Sequence, residues 1–251
     1  MNAALAAAAT MVAIGFSLST FDRWLRRRRA HDLAWAVSLA LFGLGSGSLW
    51  WAESSGWTLG TFRVFYLAGA VLNVPWLALG TVYLLAGPTA GNRVRAWLIW
   101  LSGLATGVVM FAPTRAVVTG SELPTGKDVF GVAPRLLAAV GSGVAAIIIV
   151  VGAIWSAVRA LRRRPAVICT HTRVTSSPRR LAIGNSLIAA GTLILSASGT
   201  LAGRVGKDRA FAITLLVGIV VLFGGFLVAA ATPSRASSGA ADSAGSPQVA
   251  R

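Results

Sequence analysis

Two histidines, one cysteine and seven carboxylates are the stock from which acid–base, nucleophilic or metal chemistry would have to be built in this 251-residue chain. The carboxylates are Asp22, Asp32, Glu53, Glu122, Asp128, Asp208 and Asp242, and all fall between or at the ends of the apolar stretches, or in the tail. Cation-coupled transport needs a titratable group at membrane depth. Metal-assisted hydrolysis needs clustered histidine and carboxylate. His31 and His171 are widely spaced, so no Ser–His–Asp set is legible. Cys169 has no partner for an intramolecular disulfide, and Cys169-Thr170-His171 lacks the second half of a metal site. The last apolar stretch, 210–231, has no lysine for a retinal Schiff base. The expectation is a non-enzyme without metal or cofactor.

Binding chemistry is more legible. Between Phe62 and Leu85, the residues Tyr66, Gly69, Asn73, Trp76, Gly80 and Tyr83 are spaced 3, 4, 3, 4, 3 and share one helical face. The other positions are mainly Val, Leu, Ala and Phe, as a lipid-facing surface requires. The stripe should therefore face the interior of a bundle, either as packing glue or as the wall of a pocket. Pro75 removes an N–H and is expected to bend the helix and free the carbonyl of Val71. On the preceding stretch, Gly43, Ser46, Trp50 and Glu53 follow a 3, 4, 3 spacing. A ligand site lined by Tyr66, Asn73 and Trp76 is expected, closed by Ser46 and Trp50. Its mouth would lie at a Glu53–Arg63 pair that lowers the cost of charge near lipid. Helix packing alone would instead join Asn73 to Thr192 or Ser196. Asn185, Thr192, Ser196, Gly199 and Gly203 form a third, weaker stripe, and Gly103 with Gly107 fits the small-xxx-small pattern.

The elements that must position these residues are membrane helices. The chain is 55% hydrophobic and 12% charged, against about 25% charged in soluble domains, and its mean hydropathy is +0.73. Apolar stretches at 2–20, 33–52, 62–86, 94–112, 134–157, 181–203 and 210–231 are long enough to cross a bilayer. They lack two-residue alternation, so an all-α bundle of seven transmembrane helices is expected over residues 1–231. The Ser-, Ala- and Gly-rich residues 232–251 are expected to form a disordered cytoplasmic tail.

Orientation follows from the basic residues. Segments 21–32, 87–95, 158–180 and the tail hold 16 Lys and Arg, against 7 in 53–63, 113–135 and 204–209. The positive-inside rule places the first set in the cytoplasm and the N-terminus outside. Trp50, Trp51 and Trp57 fall at the outer interface, and Trp24, Trp97 and Trp155 at the inner one. The net charge of +16 sits between apolar stretches and does not signal nucleic acid. The inner arginines serve topology and can also touch anionic headgroups.

Trp51-Ala52-Glu53 followed by Arg63, Tyr66 and Pro75 resembles the seven-helix sensory region of some bacterial membrane histidine kinases. The likeness covers residues 33–86. It implies seven helices, an external N-terminus and signal reception within the membrane. No catalytic domain follows the seventh stretch, so output would pass to a separate membrane or cytoplasmic signalling protein. The chain also resembles integral membrane proteins common in high-GC bacteria, a likeness that implies no activity. The expected role is a receptor-like or accessory protein of the bacterial plasma membrane, with a small or lipidic ligand inside the bundle and membrane lipids as partners. The alternatives are an uncoupled carrier or channel for a neutral solute or lipid, and a structural subunit of a membrane complex.

Overall fold

The computed structural model describes residues 2–120, 123–162, 178–201 and 207–230. The expected tail, Cys169, His171 and Gly203 lie outside these residues. Helices α1 (Asn2–Arg27), α2 (Ala30–Ser55) and α3 (Leu59–Phe65) lead into a π-helix, Tyr66–Leu72, and then α4 (Asn73–Phe111). One short turn, α5 (Gly126–Val129), precedes α6 (Val132–Arg162), α7 (Pro178–Leu201) and α8 (Lys207–Ala230). Among the described residues the only strand-like pairing is an isolated bridge between Thr114 and Phe130.

Among the described residues, four helices are long and apolar enough to cross a membrane: Ala3–Arg27, Ala30–Ser55, Leu59–Phe111 and Val132–Ser156. Helices α7 and α8 contribute the shorter apolar stretches Ser186–Leu195 and Ile213–Gly225. The third of the four long helices is not one rod. Gly87 has φ 82° and ψ 179°, outside helical space, and Pro88 follows it. A straight helix would hold positions 26 apart at about 39 Å. Trp76 Nε1 instead lies 3.3 Å from Ser102 Oγ, and the Tyr83 hydroxyl donates to Asn92 Oδ1 at 2.9 Å. Both pairs straddle Gly87, so α4 doubles back into two antiparallel arms. The apolar stretch expected at 62–86 runs through α3, the π-helix and the first arm, and that expected at 94–112 lies on the second.

Packing runs in a ring: α1 on α2, α2 on the π-helix and α4, α4 on α6, α6 on α7, α7 on α8, and α8 back on α1. Small residues set the close approaches. Ala6, Ala9 and Ala13 of α1 are fully buried. In α2, Gly43, Gly45 and Gly47 occupy one level but serve two neighbours. A Cβ on Gly43 would meet Ile14, and one on Gly47 would meet Thr10, both in α1. A Cβ on Gly45 would stand 3.2 Å from the Gly69 backbone in the π-helix. Helix α2 is thus buried on two sides. Its second stripe, Gly43, Ser46, Trp50 and Glu53, does not form one inward face, because an element packed on both sides loses the single apolar face that spacing reveals.

Candidate functional site

The π-helix is where the local chemistry of the third stretch departs most from expectation. Asn73 N donates to Ala68 O, five residues back. Pro75 has no N–H to return to the carbonyls of this stretch. Ser142 Oγ of α6 donates to Ala70 O at 2.5 Å. Gly141, next to it, faces Val71 O and the Pro75 ring. The proline and the serine, 67 positions apart in sequence, form one structural device.

Each member of the long stripe has an identifiable neighbour. Tyr66 packs on Phe130 and Phe62, with ring centroids 5.0 and 6.0 Å away, and over Gly126, where a Cβ would come within 2.7 Å of its ring. Gly69 faces Gly45. Asn73, 7% exposed, accepts from Ser38 Oγ of α2 at 2.7 Å through Oδ1 and at 3.0 Å through its carbonyl. Asn73 is therefore held by α2, not by Thr192; Thr192 donates to its own Ile188 O at 2.8 Å. Trp76 bonds to Ser102 across the hairpin. The Trp35 indole occupies the notch at Gly80, where any Cβ would overlap its ring. Tyr83 covers Gly91 in the same way. The side chains expected to line a polar pocket are engaged in helix contacts.

The remaining expected lining residues diverge. Ser46, buried, accepts from Thr10 Oγ1 at 3.0 Å and donates towards Phe42 O at 3.0 Å. Trp50 points outward and is 44% exposed. Arg63 directs its guanidinium to Ala112 O at 2.7 Å. That contact ties the end of α4 to α3, under an aromatic cap of Trp57, Phe62, Phe65, Tyr66 and Phe130. The segment after α4 closes over this cap through Trp57 N to Gly120 O at 2.8 Å and Arg115 N to Val129 O at 2.9 Å.

A cavity lies on the other side of α2. An open groove of about 780 Å³ runs between α1, α2 and the start of α3. Its walls include Ile14, Leu18, Leu44, Trp51 and Val64, and its small positions include Gly43, Gly47 and Gly60. None of Ser46, Trp50, Glu53, Arg63, Tyr66, Asn73 and Trp76 lines it. Four hydroxyls border the groove, and each is engaged within the protein. Thr10 bonds to Ala6 O and Ser46, Ser17 to Ala36 O, Ser48 to Leu44 O and Thr61 to Thr58. The groove therefore presents an apolar surface. A sequence signal existed in the closely spaced Gly43, Gly45 and Gly47, but a spacing rule cannot say that α1 and α3 diverge there.

No family model, no curated protein and no solved structure matches the chain.

Proposed function

We propose that the chain is a receptor-like or accessory membrane protein that takes one apolar chain of a bilayer lipid into the α1–α2–α3 groove. The engaged hydroxyls carry this reading: a polar ligand would compete with an existing partner at each of them, whereas an acyl or isoprenoid chain needs only shape and dispersion contact. Length agrees. From Ala40 to Trp51 the groove follows α2 for about 16 Å, roughly half of a 30 Å hydrocarbon core. The chain would belong to a lipid of one leaflet, entering sideways. Output would pass to a separate membrane or cytoplasmic partner.

We further propose seven crossings, with the N-terminus outside and the C-terminus in the cytoplasm of a bacterial cell. Supporting this are the two arms of α4, the lengths of α7 and α8, and the bias of basic residues towards alternate segments. With Cys169 replaced, single cysteines at Thr89 and Ser121 are expected to react with an impermeant reagent from opposite sides; reaction from the same side would remove the crossing by the second arm.

A photoactivatable diacyl lipid tests the groove. Labelling is expected at Ile14, Leu18, Leu44 and Val64 above the level on the lipid-facing α6 residues Val144 and Ile147. Gly60→Leu should abolish the excess with the fold intact, because a Cβ there meets nothing within 4 Å. Equal labelling of both surfaces would exclude a specific site. A second reading, a subunit of a membrane complex, draws on Gly103 and Gly107. They face open space on the outer arm of α4, and a partner membrane protein that copurifies in mild detergent and is lost on Gly103→Leu would favour it.

A further inference from the structure

The end of the bundle at the α1–α2 joint carries more positive charge than its own carboxylates can balance. Asp22 is taken by Arg26 at 2.9 Å. Asp32 is buried, with Arg23 at 3.7 Å and His31 at 3.9 Å. Arg28, Arg29, Arg93, Arg95 and Arg159 are exposed, and among the described residues none has a carboxylate within 4.0 Å. The fold gathers them from three elements. Ala30 packs against the cluster of Ala34, Leu79, Tyr83 and Leu98, which brings the joint beside the α4 turn that carries Arg93 and Arg95. Thr81 and Leu85 meet Gly152 of α6, which places Arg159, two turns further on, at the same end.

Two further features accompany the charge. Trp97, Trp100 and Trp155 are largely exposed about one turn inward from these arginines. Exposed indoles beside a layer of cations mark the boundary between hydrocarbon and headgroups. Arg28 itself holds φ 52°, in the left-handed region where helix ends favour glycine. Its guanidinium lies 5.0 Å above the Trp24 ring. An arginine kept where glycine would be relaxed points to a use for the side chain.

We infer that this rim binds the phosphates of anionic phospholipids in the adjoining leaflet. Guanidinium forks match phosphate oxygens in pairs, and the indoles fix the depth at which those oxygens lie. The rim is separate from the groove and stands whether or not the groove holds an acyl chain.

The full chain, equilibrated in nanodiscs of equal phosphatidylglycerol and phosphatidylcholine and then released into mild detergent, is scored for retained lipid by native mass spectrometry. Phosphatidylglycerol should be retained in excess. The combined change of Arg28, Arg29, Arg93 and Arg95 to Gln should remove that excess, each guanidinium accounting for about fivefold or less. Changing Arg115 and Arg135 to Gln, at the opposite end, should leave it in place. Arg28→Gly should lower the preference while keeping or raising thermal stability, since it relieves the left-handed backbone. This single variant decides the matter if the fourfold one fails to fold. Unchanged preference in the folded fourfold variant, equal loss from the opposite-end pair, or full preference in Arg28→Gly would each overturn the proposal.

Discussion

The two sides of α2 are made of similar residues and do opposite things. Towards the π-helix and α4, Gly45 meets Gly69, Ser38 meets Asn73, and Trp35 fills the notch at Gly80. Towards α1, Gly43 and Gly47 bring the backbones near, but Ile14, Leu18, Leu44 and Val64 diverge around the groove. Small residues permit close approach; they do not guarantee it. On the closed side, each gap left by a glycine is filled by the opposing backbone or ring. On the open side, only part of the glycine surface has a partner, and the remainder borders the groove. Interfaces between membrane helices depend on such fit, because burial against a neighbour gains little over burial in lipid.

Substitutions can sharpen that contrast. The largest effect is expected for Gly80→Leu, which forces the Trp35 indole out of its notch. Overpacking of this kind costs about 3 kcal/mol, read as a marked fall in thermal midpoint in detergent; an unchanged midpoint would show that the two helices part freely. Gly45→Ala and Gly47→Ala apply the same change two residues apart. At Gly45 the new methyl presses on Gly69 backbone atoms at 3.2 Å, and a loss of about 1–2 kcal/mol is expected. At Gly47 it meets the Thr10 methyl at 3.5 Å, an ordinary contact, and the midpoint should hardly move. Equal losses would erase the distinction between the two sides. Asn73→Leu should cost about 1 kcal/mol by removing the Ser38 acceptor, within the range of interhelical hydrogen bonds, while photolabelling of the groove stays at its wild-type level. Selective loss of labelling without loss of stability would return the ligand site to the stripe.

That stripe shows how far spacing can lead. The 3, 4 rhythm of Tyr66, Gly69, Asn73, Trp76, Gly80 and Tyr83 marked an inward face, and Pro75 marked a disturbed backbone. Neither names the neighbour. Ser38 is unremarkable in its own stretch, and Ser142 gives no hint that it serves a carbonyl 72 positions earlier. The π register is not legible in the sequence, because an i→i+5 bond pattern confined to Tyr66–Leu72 leaves the apolar pattern readable as an α-helix. Trp50 points outward for a different reason: on a helix buried from two directions, a polar or aromatic rhythm has no unique inside.

Composition and run length, by themselves, determined that this chain is helical and apolar enough to enter a membrane, since backbone polar groups in hydrocarbon must be satisfied within each segment. The arginine runs were likewise plain as joints between the apolar stretches. Tertiary structure alone decided that Asn73 belongs to Ser38, and that a groove opens beside Gly43 and Gly47. These outcomes depend on the distance and shape of a second helix. A periodic pattern specifies the direction a side chain takes from its own helix axis, and nothing about what stands there to meet it.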